Sequence, residues 1–168
     1  MDTRKIVRLA LLVAMGLALF VFESTIPRPL PWLRLGLANV ATLMALSLFG
    51  TKEAFVVAMM RPVLGSLIGG AFLNPSFLFS LLGSLVSAGI MAFVFNFFKG
   101  VFSVVGVSIW GALAHNLAQL ALAISLFVHR WELFYLLPLF LLSTVVTGFS
   151  TGVLVFLLLQ RTSRTPLA

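Results

Sequence analysis

Long apolar runs fill almost the whole chain, and this pattern limits the folds open to it. A helix that crosses the hydrocarbon core needs about 20 apolar residues, and most of the runs approach or exceed that length. None alternates apolar and polar residues as the strands of a membrane β-barrel would. The sequence therefore predicts an all-α integral membrane protein, a compact bundle of about six transmembrane helices. Their approximate bounds are 6–22, 35–49, 54–72, 77–98, 101–128 and 133–159.

The composition excludes a water-soluble fold. Hydrophobic residues make up 61% of the 168 residues and charged residues only 9%, whereas about a quarter of a soluble domain is charged. The length fits one transmembrane domain over residues 1–168. The net charge of +7 does not indicate nucleic-acid binding, because the basic residues lie between apolar runs and not on one solvated face. The lipid bilayer is the expected solvent.

The distribution of Lys and Arg predicts the orientation. With the N-terminus inside, seven basic residues face the cytoplasm and three face outward, which favours both termini in the cytoplasm. The inner set is Arg4, Lys5, Arg8, Lys52, Lys99, Arg161 and Arg164, and the outer set is Arg28, Arg34 and Arg130. The longest connection, the proline-rich loop 23–34, then lies on the outer side.

Arg61 is the residue with the clearest chemical meaning. It lies inside the third apolar run, where an arginine costs a few kcal/mol (about 3) on insertion scales and must face the bundle interior. Its planar guanidinium suits a carboxylate or a phosphate. Two interpretations stay open: a ligand anion, or a structural pair with Glu23, Glu53 or a helix C-terminus. The excess of outer arginines, which include Arg28 and Arg34, favours an anionic ligand.

A polar face on the fifth run is the second candidate. Its members lie three or four residues apart and so share one side of a helix: Ser108, Gly111, His115 and Gln119, with Asn116 beside them. These side chains could bind a ligand or join helices within the bundle. Asn39 of the second run is a weaker candidate of the same kind. A single inward-facing histidine without a nearby carboxylate does not predict a metal site.

Small residues four apart form the third pattern. They allow two helices to approach closely, either within the bundle or against a partner protein. The pairs are Ala10 and Ala14 (with Ala18 beyond), Gly65 and Gly69, Ser80 and Ser84, and Gly148 and Gly152.

Several enzymatic functions are not supported by the sequence. No Walker-type glycine-rich loop is present, and the only aspartate is Asp2. The glutamates at 23, 53 and 132 lie in three separate loops, so they do not form the carboxylate cluster that holds Mg²⁺ for diphosphate chemistry. We therefore predict no catalytic residues, no cofactor and no enzyme activity.

Residues 26–39, which read IPRPLPWLRLGLAN, resemble the signature of the Gx transporter family. Members of that family also carry the description heptaprenyl diphosphate synthase component I. Arg61, the serine-containing stretch 76–84 and the segment 111–119 match the family as well. The resemblance covers nearly the whole chain, and the family is similar to the substrate-binding S components of energy-coupling factor (ECF) transporters.

The resemblance implies a fold and a function. S components are six-helix proteins of prokaryotic cytoplasmic membranes that bind a ligand near the outer face, beneath the loop between the first two helices. An Ala-x-x-x-Ala motif, matched here by Ala10 and Ala14, docks onto a coupling subunit that works with two ATPases. The expected function is capture of a small, anionic substrate for uptake. The alternative is a non-catalytic membrane subunit, component I, of polyprenyl diphosphate synthesis.

Overall fold

The computed structural model describes residues 3–25, 36–98, 100–128, 135 and 137–164. These ranges contain six α-helices and no strand, which confirms the predicted all-α architecture. The helices are α1 (Thr3–Thr25), α2 (Asn39–Phe49), α3 (Thr51–Ile68), α4 (Pro75–Phe97), α5 (Val104–Leu122) and α6 (Leu137–Arg164). A short π-helical segment, Ala123–Val128, continues α5.

Four of the six helices are long and apolar enough to cross a membrane: α1, α4, α6, and α5 with the start of its π-helical extension. The other two helices, α2 and α3, do not meet these criteria, each for its own reason. Helix α2 has only 11 residues, and α3 carries Lys52, Glu53 and Arg61 within its 18 residues. Six helices are therefore confirmed in the described ranges, while six membrane spans and the S-component-like arrangement remain predictions.

Local chemistry explains where the helix ends depart from the predicted bounds. Helix α2 begins at Asn39 because Gly36 adopts a φ of 74°, a left-handed conformation that interrupts a helix. Helix α5 begins at Val104, where the Ser103 hydroxyl caps the helix by accepting a hydrogen bond from the Gly106 N–H at 3.3 Å. Pro75 occupies the first turn of α4, where a missing N–H has no cost.

Helix α2 forms the centre of the bundle. Every residue from Asn39 to Leu46 is buried, and α2 contacts all five other α-helices. Gly50 alone connects it to α3, and its φ of 105° permits the sharp reversal. A helix enclosed on all sides needs no polar face, which explains why α2 reads as a continuous apolar run with few interruptions.

The two ends of the bundle can be told apart by their buried or paired charges. At one end, Lys5 of α1 forms an ion pair with Glu53 of α3, and we call this the Lys5 end. At the other, Glu23 near the end of α1 accepts a hydrogen bond from the Gly36 N–H at 2.7 Å, and we call this the Glu23 end. The charge distribution predicts that the Lys5 end faces the cytoplasm.

Cysteine labelling tests this orientation. The native chain has no cysteine, so single cysteines at Thr25 and at Thr51 report on the Glu23 end and the Lys5 end without background. We expect a membrane-impermeant maleimide added to intact cells to label Thr25→Cys, and to label Thr51→Cys only after the membrane is permeabilised. Labelling of both positions from outside would rule out the model with both termini in the cytoplasm.

Candidate functional site

Arg61 lies at the junction of α2, α3 and α4, and only 2% of it is exposed. One terminal nitrogen, Nη1, donates to Asn39 Oδ1 at 3.2 Å, and the other, Nη2, donates to Ser84 Oγ. Its Nε has no hydrogen-bond partner in the described part of the chain. The hydrogen-bond partners of this buried cation are thus neutral groups.

A second set of hydrogen bonds holds the Arg61 partners in place. Ser84 Oγ donates to the carbonyl of Ser80 one turn earlier, at 2.6 Å. Asn39 Nδ2 donates to Ser87 Oγ at 3.4 Å, and Ser87 Oγ donates to the carbonyl of Gly111 at 2.8 Å. The chain of contacts runs from α3 through α2 and α4 to α5. Ser80 and Ser84, which the sequence suggested as small packing residues, therefore also position the guanidinium, and so does Ser87, which the sequence did not suggest.

A small cavity of about 10 Å³ adjoins Arg61 on the side of the Glu23 end. This volume holds about one water molecule. Its walls come from α1, the residues that lead into α2, and from α3, α4 and α5: Phe20, Glu23, Gly36, Ala38, Arg61, Ser80, Ser84 and His115. Gly36 borders the cavity, and residues 27–34, which the sequence predicted to cover the site, lie outside the described residues.

Glu23 is the carboxylate of this cavity. It is 2% exposed, and its Oε1 accepts the hydrogen bond from Gly36 described above. Among the described residues, no ion pair within 4 Å joins Glu23 to Arg61, and Glu53 pairs with Lys5 instead. Neither of the two described glutamates therefore forms the direct ion pair with Arg61 that the sequence left open.

Gly83 of α4 makes room for two polar side chains of α5. A Cβ atom at position 83 would lie 2.8 Å from His115 Cε1 and 3.3 Å from Gln119 Cγ. His115 is buried and lines the cavity. Gln119 is 1% exposed, and its amide atoms form no hydrogen bond with the described residues. These two members of the predicted polar face thus pack against α4 near the site.

Asn116 lies outside the cavity and faces α6. Its Nδ2 donates to Thr144 Oγ1 at 2.8 Å and to Ser143 Oγ at 3.4 Å. Adjacent helical residues point about 100° apart, so Asn116 and His115 meet different neighbours. About two helical turns closer to the Lys5 end, Ser108 and Thr151 share a hydrogen bond of 2.7 Å. This part of the predicted face joins α5 to α6.

The remaining predicted site residues divide into two groups. Arg28 and Arg34 lie outside the described residues. Ala10 and Ala14 are exposed on α1, so their small side chains are not used for packing within the bundle. The described ranges contain no cluster of three or more His, Asp or Glu side chains that could hold a metal ion.

Comparison with known proteins gives one family. The family model described as heptaprenyl diphosphate synthase component I matches residues 12–158. No curated protein and no solved structure matches the chain. The match spans the helices that build the Arg61 cavity and most of the 168 residues. The chain therefore belongs to the heptaprenyl diphosphate synthase component I family.

Proposed function

We propose that this chain is a non-catalytic membrane subunit that binds a small ligand through an anionic group at Arg61. One observation carries the proposal: a guanidinium that is 2% exposed borders a small cavity and, among the described residues, donates only to neutral atoms. A buried charge without a directly bonded counterion costs several kcal/mol, on the order of 3 or more. A carboxylate or phosphate of the ligand would supply that counterion and use the remaining donors.

Entry of a ligand requires the cavity to widen, because its present volume of about 10 Å³ holds only a water molecule. The hydrogen bond between Glu23 and Gly36 joins the end of α1 to the residues that lead into α2. We propose that this contact opens when the ligand enters. The site would then be reached from the Glu23 end, with Arg28 and Arg34 as further anion-binding residues, and with Asn39, His115 and Gln119 as neutral ones.

The family description supports component I of heptaprenyl diphosphate synthesis as the system in which the subunit works. In this proposal the chain serves as a membrane partner of another component of the synthase and carries out no chemistry itself. The described carboxylates agree with such a role, because Glu23 and Glu53 lie at opposite ends of the bundle and so cannot jointly hold the Mg²⁺ of a diphosphate.

The second candidate is an S-component-like subunit of an ECF transporter in a prokaryotic cytoplasmic membrane. The observation that favours it is the exposure of Ala10 and Ala14 on α1, a face onto which a helix of a coupling subunit could pack closely. The ligand would be captured at the Glu23 end, and ATPases would drive its uptake.

Co-purification from native membranes distinguishes the two systems. A soluble prenyl diphosphate synthase bound in stoichiometric amount is the expected result for component I. A coupling subunit together with ATPases would instead support the transporter. Recovery of the chain alone from membranes solubilised in a mild detergent would count against both assignments of partner.

Substitution on α1 tests the docking surface of the second candidate. We expect Ala10→Trp and Ala14→Leu to abolish binding of a coupling subunit, since bulk prevents close approach of the two backbones. The isolated variants should keep their unfolding temperature, because both positions are exposed. Ala121→Leu, at an exposed alanine of α5, is the matched control and should bind normally. Normal binding by the α1 variants, or loss of their fold, would contradict a docking role.

A further inference from the structure

The cavity beside Arg61 is lined by two opposite charges that do not touch each other. Glu23 and Arg61 are each 2% exposed, and both border the same space of about 10 Å³. Among the described residues, no ion pair within 4 Å connects them. The cavity wall therefore has a negative pole, Glu23, and a positive pole, Arg61, around a space of about one water molecule.

Each pole retains capacity for a further hydrogen bond. Glu23 Oε1 receives the Gly36 N–H at 2.7 Å, and an ionised carboxylate can accept several more hydrogen bonds. Arg61 uses one N–H of each terminal nitrogen, and its Nε has no partner in the described ranges. A guanidinium has five N–H donors, so most of them have no partner among the described residues.

The formal charges of the described cavity wall sum to zero if His115 is neutral: one glutamate and one arginine. A ligand that carries only negative charge would meet Arg61 but would also lie beside the buried carboxylate of Glu23, and the repulsion would weaken its binding in a site of low dielectric. A ligand with a cationic group as well as an anionic group would match both poles.

We propose that the ligand of this site is a small zwitterion, with its anionic group on Arg61 and its ammonium or other cationic group on Glu23. The proposal rests on the proposed ligand binding at Arg61 and is independent of which partner subunits the chain has. It names the substrate class and gives Glu23 a role in specificity that the count of outer arginines did not suggest.

Matched small probes test this substrate class. The purified chain in lipid nanodiscs would be titrated by calorimetry with ω-amino acids from glycine to aminohexanoate. The carboxylates and the alkylamines of equal length, and inorganic diphosphate, would be titrated in parallel. We expect at least one amino acid to bind about tenfold or more tightly than its matched carboxylate and amine, because each buried charged hydrogen bond contributes at least that factor.

Variants of Glu23 and Arg61 then test which residue binds the cationic group of the ligand and which binds its anionic group. Glu23→Gln should weaken the amino acid about tenfold or more and leave the matched carboxylate equal or stronger, while Arg61→Gln should weaken both. The controls are Glu53→Gln and Arg8→Gln, which change the same residue types at the Lys5 end and should have no effect. Circular dichroism and thermal unfolding of each variant establish that it is folded.

These experiments distinguish the zwitterionic ligand from the more general proposal that Arg61 binds a ligand. If a carboxylate or diphosphate binds as tightly as every amino acid, the zwitterion is wrong while ligand binding at Arg61 stands. If no probe of any charge binds, the cavity is a water-bridged ion pair, and both the inference and the proposed ligand binding are overturned.

Discussion

Replacement of Arg61 by alanine should abolish ligand binding while the bundle stays folded. The guanidinium is buried and, within the part of the chain that the structure describes, donates only to neutral groups, so its removal also removes the cost of desolvating a charge. Arg61→Met should behave in the same way and keeps most of the side-chain volume, which limits the cavity that alanine leaves. Arg61→Lys should retain only weak binding, about tenfold or more below the native protein, because an ammonium cannot form two parallel hydrogen bonds to one anion.

Mass spectrometry of the small molecules that remain with the purified protein measures this effect for a ligand of any identity. A compound present with the native chain should be missing from Arg61→Ala and Arg61→Met. Arg8→Ala, an exposed arginine of α1, serves as the control and should retain it. Ligand retained by both Arg61 variants, or unfolding of both, would reduce Arg61 to a structural residue.

Gly152→Ala should destabilise the protein by about 1–3 kcal/mol, the usual cost of overpacking a core. A Cβ atom at this position would lie 2.7 Å from the Cα of Val105 and 3.0 Å from Ser108 Cβ. The nearest atom belongs to the backbone of α5, so α5 and α6 would have to move apart. That movement would also stretch the Ser108–Thr151 hydrogen bond of 2.7 Å.

Gly89→Ala provides the matched comparison, since Gly89 also lies within a helix, α4. A Cβ atom there would meet only Phe55 Cζ, at an ordinary contact distance of 3.7 Å. We expect Gly89→Ala to be neutral or to stabilise by up to about 1 kcal/mol, because alanine is the better helix former. The unfolding temperature in detergent should therefore fall for Gly152→Ala and stay the same or rise for Gly89→Ala. Equal shifts would contradict the close backbone contact between α5 and α6.

The sequence predicted those features that depend on local pattern. Apolar runs without alternation indicate helices wherever the chain lies in lipid, and all six helices of the described ranges follow from them. The interior position of Arg61 was predictable as well, because an arginine within such a run has few other places to lie. The start of α5 at Val104 instead departs from the predicted bound at 101, because the Ser103 side chain caps the first turn there.

The arrangement around Arg61 could not be read from the sequence, because it depends on which helices meet. Asn39 and Ser84 lie 22 and 23 residues away along the chain, and each is also compatible with simple helix packing. His115 and Asn116 are adjacent in sequence, yet one lines the cavity and the other binds α6. Glu23 lies at the end of α1, where a headgroup-facing position was equally compatible with the pattern.

The enclosure of α2 has a consequence for how the protein is made. At about 1.5 Å per residue, its 11 residues span about 16 Å, roughly half of the hydrocarbon core. Helix α2 is therefore too short to cross the hydrocarbon core as an independent span, and we expect it to enter the bilayer as a hairpin with α3 across Gly50. During synthesis, Asn39 and Arg61 then lack their hydrogen bonds to Ser87 and Ser84 until α4 has been made. The first half of the chain thus depends on the second for its polar contacts, and a nascent chain that ends before α4 should be a substrate for membrane quality control.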